Sequence, residues 1–379
     1  MHPAVIRRLP LALLVAASLL AVPAVAGATT TTQAHRSSTP RTLELKTPTY
    51  QPVAQPGSTD DYHCTLFDPK LESPAYVTST QFRPGSGMDH HAALFLIPPD
   101  LAAAARAENS SGKGWTCFGE AGLPHQPLAD ILRTPFLTVW APGHGADALP
   151  KGTGVEMPAG SLLVLQVHYN LLAGHRPVSD RVSMSLQPGT AKLIPLSLNL
   201  SFAPPDLPCP KGSSGPLCDR AASLADQGQR FGADAVSLVN TIETVCGRAP
   251  SPPAGTSTSC TWPVQHAGWV VRTQAHMHLL GTGFSLVAGK GTKQSATLLR
   301  VPRYDFHDQR AYTPKRLVHV SAGESLTATC RYDPSLMTKL PALRSTPAHF
   351  VTWGDGSTDE MCIGLAWVAP VRPPSMLHH

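Results

Sequence analysis

The sequence predicts an all-β protein built from antiparallel sandwiches, because it is rich in strand-like runs and in residues that interrupt helices. It contains 38 prolines and 30 glycines, and only 15% of its residues are charged. Short apolar runs at residues 94–97, 162–169 and 269–272 are separated by clusters of Gly, Pro and Asp, as in antiparallel sheets. The length, roughly 350 residues after an N-terminal signal, favours two domains over one.

The first residues have the pattern of a secretion signal. Arg7 and Arg8 precede an apolar run, and small residues at 24–26 offer a cleavage site. We therefore predict a signal peptide at residues 1–28, a Thr- and Ser-rich disordered linker at 29–41, and a secreted protein. No later run reaches about 18 apolar residues, so no stable membrane span is expected.

The rest of the chain divides into segments with different patterns. Strand-like runs predict an N-terminal domain at residues 42–200 and a C-terminal domain at 263–370, followed by a tail at 371–379. Between the domains, residues 201–262 are rich in Cys and Pro and contain the best helix candidate, 233–246, with apolar residues at helical spacing. We interpret residues 201–262 as a small, partly helical insertion near the domain junction.

The eight cysteines fall in the part of the chain predicted to be exported, where disulfides persist. Two pairs are predicted from position, and the four cysteines around the insertion allow three pairings. A Cys-ligated zinc site is the minor alternative, since no Cys-x-x-Cys spacing occurs. The favoured pairs are Cys64–Cys117, Cys209–Cys218, Cys246–Cys260 and Cys330–Cys362.

Histidines and one methionine are the candidate metal ligands. Strand alternation puts His276 and His278 on one face, where their imidazoles can converge on one ion. A thioether such as Met361 is an unusual ligand for zinc, calcium or magnesium but suits reduced copper. His168 interrupts an apolar strand, where an unpaired imidazole would cost about 1–3 kcal/mol. Each motif taken singly is also compatible with an ordinary surface or hydrogen-bonded histidine.

The adjacent pair His90 and His91 poses a geometric problem. Neighbouring residues of a regular strand point to opposite faces, so the two rings can share a metal only if the backbone bends or they use different nitrogens. Gly85, Gly87 and Asp89, just upstream, favour a bend. The pattern predicts one site with three histidines and another with two histidines and a methionine.

These motifs resemble those of the copper type II, ascorbate-dependent monooxygenases, the family of peptidylglycine α-hydroxylating monooxygenase and dopamine β-monooxygenase. The likeness covers most of the mature chain, and the motifs agree in order and spacing as well as in residues. The segments that carry it are residues 61–64, 88–91, 140–142, 149–154, 165–169, 275–281 and 357–362.

The resemblance implies two jelly-roll-like domains that face each other across a solvent-filled cleft, with one copper ion in each. The enzyme would insert one atom of O₂ into a C–H bond, and ascorbate or a similar donor would reduce each copper. Gln166 corresponds to a glutamine near the first site, and we hypothesise that it aids electron transfer. The implied ligands are His90, His91 and His168 for the electron-transfer copper, and His276, His278 and Met361 for the copper that activates dioxygen.

The departures from the family pattern concern the substrate. Peptidylglycine enzymes have an arginine for the peptide carboxylate at the position of Gln274, and a neutral amide cannot replace that bidentate clamp. Positions that carry an asparagine and a tyrosine in the family carry Ile363 and Leu365 here. We therefore predict an apolar pocket for a small or medium-sized organic substrate and no amidation of peptides.

Two other functions compete with this interpretation. A copper-binding protein for storage or delivery would keep the ligands without turnover. A zinc hydrolase could use His90, His91 and His168, with Asp89 as its base, but would leave the Met361 site unexplained. The net charge of +5 and the lack of a long basic run argue against a nucleic-acid partner.

Overall fold

The computed structural model describes residues 39–54, 58–118, 121–123, 133–142, 144–171, 174–248, 254–343 and 346–376. Strands account for 42% of the structure and helices for 15%, so the predicted all-β fold is confirmed. The predicted signal peptide, residues 29–38 of the predicted linker and the last three residues of the predicted tail lie outside the described residues.

The strands up to residue 195 form two sheets among the described residues. They are β1 (Arg41–Lys46), β2 (Asp60–Phe67), β3 (Ala75–Arg83), β4 (Asp89–Ile97), β5 (Trp115–Thr116), β6 (Phe136–Trp140), β7 (Asp147–Ala148), β8 (Thr153–Met157), β9 (Leu162–Asn170), β10 (Arg181–Pro188) and β11 (Ile194–Pro195). One sheet has the order β1-β10-β3-β8-β11, with β7 beside β3, and the other has the order β5-β2-β9-β4-β6. Pairing is antiparallel except between β8 and β11.

The later strands form separate sheets. They are β12 (Ser197–Phe202), β13 (Asp206–Leu207), β14 (Ser257–Pro263), β15 (Gly268–Met277), β16 (Gly281–Ala288), β17 (Ala296–Val301), β18 (Val318–Val320), β19 (Ser325–Tyr332), β20 (Val351–Thr352) and β21 (Cys362–Ala369). The orders are β12-β21-β15-β18, β14-β19-β16-β17 and β13-β20. β12 and β14 begin outside the predicted 263–370 domain, yet they pair with its strands β21 and β19.

Helices are few and short in the part of the chain that the structure describes. They are α1 (Ala102–Glu108), α2 (Arg220–Phe231), α3 (Ala233–Val245) and α4 (Leu336–Lys339), with 3₁₀ turns at Pro99–Leu101, Pro216–Cys218, Pro341–Leu343 and Pro374–Met376. Helix α3 confirms the helix predicted at 233–246. Helix α2 was not predicted from sequence, because two of its three buried residues, Ser223 and Gln227, are polar and only Phe231 is apolar. None of the helices within the described ranges has the length and apolar character needed to cross a membrane.

Four disulfides staple the fold, and their pairs are those favoured from the sequence. Cys64–Cys117 joins β2 to the segment after β5, and Cys246–Cys260 joins the end of α3 to β14. Cys330–Cys362 connects β19 to β21 and therefore links the two four-stranded sheets directly beside Met361. The fourth pair, Cys209–Cys218, closes a short loop before α2.

His168 and His276 lie on interior strands of their sheets. β9, which carries His168, is hydrogen-bonded on both sides, by β2 and by β4. β15, which carries His276, pairs with β18 only at Gly268–Val270, so beside His276 its hydrogen-bonded neighbour is β21. The backbone of His168 is therefore held by two neighbouring strands and that of His276 by one.

Candidate metal centre

The structure brings His90, His91 and His168 together at the start of β4 and the end of β9. The register of these strands shifts between Asp89 and His91, so His90 lies at an irregularity, which is the bend that a shared site requires. Nδ1 of His168 lies 3.2 Å from Nδ1 of His90 and 3.2 Å from Nδ1 of His91. One ring nitrogen from each of the three histidines lies within 4.8 Å of the other two, so one ion can reach all three rings.

Asp60 fixes the orientation of the His168 ring. Nε2 of His168 donates to Oδ1 of Asp60 at 2.9 Å, which leaves Nδ1 with the lone pair that a metal needs. Burial raises the pKa of Asp60, but the neighbouring His168 and the backbone N–H of Ser357 outweigh it and lower the pKa to about 2. Tyr62 stacks on the ring of His168, with 4.2 Å between the ring centroids. The sequence analysis did not identify either residue.

The second group has a different geometry. His276 and His278 share one face of β15 and its end, and their ring centroids are 5.2 Å apart. Nδ1 of His276 lies 2.6 Å from Oε1 of Gln309, and Nδ1 of His278 lies 3.1 Å from the carbonyl oxygen of Asp359. These acceptors make both Nδ1 atoms donors, so Nε2 of each ring is the atom left for a metal.

Met361 lies beside this pair because the residue before it ties two segments together. Glu360, which is fully buried, accepts the backbone N–H of His278 at 2.9 Å, of Leu280 at 2.6 Å and of Met361 at 3.3 Å. Burial raises the pKa of Glu360 to about 8, although these N–H groups favour its charged form. The half-buried Met361 side chain lines the same cavity as His276 and His278.

The electrostatics favour the neutral form of four of these imidazoles, those of His90, His91, His276 and His278. Burial, with smaller contributions from neighbouring histidines, lowers the pKa of His90 to about 3 and holds the pKa of His91 far below its ordinary value. Burial likewise lowers the pKa of His276 to about 4 and strongly lowers that of His278. Neutral rings are the form that binds metal ions, so copper would not have to displace protons from them.

The two groups are neighbours rather than being separated by the open cleft that the resemblance implies. The ring centroids of His91 and His276 are 5.8 Å apart. Phe306 contacts both groups, with its centroid 4.7 Å from that of His90 and 6.2 Å from that of His278. Phe306 is thus one apolar contact shared by the groups, and a wider cavity of about 870 Å³, bordered by His144 and Gln274, opens to one side.

A smaller cavity of about 60 Å³ adjoins the ligands. His91, His276, His278 and Met361 line it, together with mostly apolar side chains. Gln274 borders both cavities, and its Nε2 donates to the carbonyl oxygen of Gln309 at 2.7 Å. Gln166 also lines the smaller cavity. The other lining residues are Tyr62, Ala93, Phe95, Phe136, Val139, Leu238, Trp353, Asp355, Ile363 and Leu365.

Comparison with known proteins gives a family match for the part of the chain that carries the second group. Residues 254–367 match the family described as copper type II ascorbate-dependent monooxygenase, C-terminal domain, and this confirms the resemblance inferred from the motifs. The matched stretch includes His276, His278 and Met361. A comparison with curated proteins gives no match.

Solved structures give only distant likenesses. The chain is similar to the major capsid protein P2 from bacteriophage PM2, at 8% identity over 87% of this chain and 97% of that chain, with a TM-score of 0.30. It is also similar to allantoicase from Saccharomyces cerevisiae, at 9% identity over 79% of this chain and 74% of that chain, with a TM-score of 0.19. At these TM-scores neither likeness bears on the function.

Proposed function

We propose that this protein is a secreted copper monooxygenase that hydroxylates a C–H bond of a small or medium-sized organic substrate with O₂ and a one-electron donor such as ascorbate. One observation carries the proposal: two chemically different donor sets lie side by side, one of three imidazoles and one of two imidazoles with a thioether. The family match to residues 254–367 supports copper as the metal. Four disulfides support an oxidising, extracytoplasmic location.

Both donor sets fit copper ions. His90, His91 and His168 would hold one copper through Nδ1, and His276 and His278 through Nε2, with Met361, would hold the other. Bound copper supplies one-electron redox chemistry and reactivity toward dioxygen. Met361 favours the reduced ion at the second site, because a thioether is a soft ligand.

The protein itself would bind and shield the substrate. The narrow cavity, about 60 Å³, has room for about four waters and so admits only a slim group beside Met361. Its apolar walls disfavour water and favour an unfunctionalised C–H group. The wider cavity of about 870 Å³ would hold the rest of the substrate, since Gln274 and Val139 border both spaces.

Metal analysis with paramagnetic resonance, followed by ascorbate-dependent oxygen uptake with a panel of organic substrates, tests this function. We expect two cupric ions per chain and oxygen uptake that depends on a substrate. One zinc ion and no copper would favour a hydrolase instead. In the structure, the carboxylate that such an enzyme would need, Asp89, is engaged by the backbone N–H of Ser86 at 2.7 Å.

Peptides that end in glycine should be poor substrates. The amide of Gln274 is bound to the backbone of Gln309 and carries no charge, so it offers no clamp for a carboxylate. The measurement is the conversion of a glycine-extended peptide by the copper-loaded enzyme. Efficient amidation would contradict the proposed substrate class without contradicting the copper chemistry.

A copper storage or delivery protein is the second candidate. The small volume beside the ligands favours it, since storage needs no room for a substrate. Two tightly bound coppers with no substrate-dependent oxygen uptake across the panel would support storage over catalysis.

A further inference from the structure

The segment that carries Met361, residues 353–361, is fastened to the three-histidine group on one side. The hydroxyl of Ser357 donates to Oδ1 of Asp60 at 3.0 Å, and its backbone N–H donates to Oδ2 at 3.2 Å. Tyr62 donates its hydroxyl to the carbonyl oxygen of Asp355. Asp60 and Tyr62 are the residues that bond to and stack on His168, so this segment is held by the surroundings of the first site.

On its other side the same segment is fastened to helix α2 of the insertion. Nη1 and Nη2 of Arg230 donate to the two carboxylate oxygens of Asp359 at 3.0 and 2.9 Å. The side chains of Arg230 and Asp359 are 9% and 3% exposed, so this bidentate ion pair is shielded from water and salt. The two parallel hydrogen bonds fix both the position and the orientation of the Asp359 carboxylate.

Helix α2 makes further bonds to the backbone around this segment. Gln227 donates to the carbonyl oxygen of Trp353, and Ser223 donates to that of Phe350 at 2.6 Å. Ser223, Gln227 and Arg230 follow one another at helical spacing along one face of α2. The polar side chains of this buried face hold the segment that leads to Met361 through hydrogen bonds. The same polar side chains are the reason that sequence periodicity did not predict the helix.

Movement of this segment would disturb the second donor set directly. The carbonyl oxygen of Asp359 orients the ring of His278, and Glu360 holds the backbone N–H groups of His278 and Met361. We infer that Arg230 is a positioning residue for the site of His276, His278 and Met361, and that Ser357 joins that site to the three-histidine group. The assignment of copper to the site rests on the proposed function, whereas the fastening of the segment does not.

The replacement of Arg230 by glutamine tests the inference by two readouts. In copper-free protein, hydrogen exchange of the backbone amides in residues 354–361 should accelerate at least tenfold. In the Cu(I)-loaded protein, the sulfur contribution of Met361 to the copper X-ray absorption spectrum should weaken. In the Cu(II)-loaded protein, the paramagnetic resonance signal of the three-histidine site should stay unchanged. Arg230→Lys keeps the positive charge but lacks the two parallel N–H donors of the guanidinium group, so it should restore the sulfur signal only in part.

Asp226→Asn is the matched control. Asp226 pairs with Nε of Arg230 from a partly exposed position and does not touch the methionine segment in the described contacts. It should leave both readouts at the wild-type level. Wild-type rates of hydrogen exchange together with an unchanged sulfur signal in Arg230→Gln would overturn the inference. Effects of Asp226→Asn as large as those of Arg230→Gln would also overturn it.

A double variant guards against simple unfolding. Arg230→Gln alone leaves the carboxylate of Asp359 buried without its cation, which lowers the free energy of unfolding. Arg230→Gln with Asp359→Asn removes both charges while retaining similar volume. We expect this folded variant still to show faster exchange and a weaker sulfur signal, and wild-type values for both would refute the positioning role. Hydrogen exchange is measured without metal, so it tests the positioning role of Arg230 even if the site proves not to bind copper.

A second inference rests on a different observation, the side chain of Leu238 in helix α3. Leu238 lines the narrow cavity together with His276 and Met361, although it belongs to the insertion. We propose that Leu238 sets the size of the substrate group that reaches the second site. The effect of Leu238 on substrate preference rests on the proposed function, whereas its effect on the size of the cavity does not.

The variant Leu238→Ala should enlarge the cavity, because it removes the branched end of the side chain. Xenon, which enters dry apolar cavities, is the probe, and its binding to copper-free protein is followed by nuclear magnetic resonance. We expect tighter xenon binding and a shift of relative kcat/KM toward bulkier substrates by about tenfold or more. The control is Val245→Ala, at an exposed position of the same helix. Unchanged xenon binding in Leu238→Ala, or an equal change in the control, would refute the proposal.

Discussion

The two histidine groups differ in how the fold assembles them. His90, His91 and His168 lie on two paired strands, and their Nδ1 atoms already face one another. His276 and His278 come from the end of one strand, and Met361 joins them from a segment that other residues hold in place. The comparison indicates that the first group is preformed by a sheet, whereas the second depends on contacts outside its own strand.

The partners of the rings differ in charge as well. His168 donates to the carboxylate of Asp60, whereas His276 is bound to the neutral amide of Gln309 and His278 to a backbone carbonyl. A carboxylate partner makes an imidazole a stronger donor, which favours an oxidised metal ion. Neutral partners and a thioether favour a reduced one. This contrast supports the proposed division between electron transfer and dioxygen activation.

Removal of the thioether should have the largest effect and should separate the two groups completely. In Met361→Ile we expect substrate-dependent oxygen uptake to fall at least 100-fold, because the second copper loses its soft ligand. The cupric signal of the three-histidine site should persist, which paramagnetic resonance and metal analysis will show. Full oxygen uptake in this variant would contradict the assignment of Met361.

The reciprocal variant is His168→Ala. It should lose one copper per chain and retain the sulfur signal of the Met361 site in X-ray absorption. Since each copper stores one electron, turnover should fall here too, so the spectra rather than the rates distinguish the sites. Loss of both coppers together would mean that the groups do not bind independently.

The charged partner should matter more than the neutral one. Asp60→Asn keeps an acceptor near His168 but removes its charge, and we expect the affinity of the first site for Cu(II) to fall about 10–100-fold. Competition with a chelator of known affinity measures this loss. An unchanged affinity would show that the carboxylate does not tune the metal.

Gln309→Leu makes the matching change at the second group. It removes a neutral acceptor from His276, so the affinity of the second site for Cu(I) should fall by about tenfold or less. A chelator competition for Cu(I) provides the measurement. A larger loss here than in Asp60→Asn would reverse the comparison between the groups.

The sequence predicted the parts of this molecule that depend on local pattern. Strand alternation placed His276 and His278 on one face, and the conflict between His90 and His91 predicted a bend, which the structure has. The contacts that orient the rings could not be predicted in the same way. Asp60 and Ser357 are 297 residues apart, and no spacing rule relates them.

Helix α2 and the contact between the two groups show the same limit. Periodicity detects a helix by its apolar face, and the buried face of α2 includes Ser223 and Gln227. The distance between His91 and His276 depends on how the sheets pack against each other, which motifs do not encode. The sequence therefore predicted the candidate ligand residues themselves, but not most of the contacts that hold them in position.

The smallest effect is expected for Gln166, which lines the narrow cavity together with His91 and His276. Gln166→Leu preserves approximate volume and removes the amide, so copper content should not change. If the amide aids the passage of electrons, turnover should fall about two- to tenfold, while the rate at which ascorbate reduces the first copper stays constant. Stopped-flow reduction and steady-state oxygen uptake separate these steps. Unchanged turnover would assign Gln166 a packing role and leave the direct approach of His91 to His276 as the shorter connection between the groups.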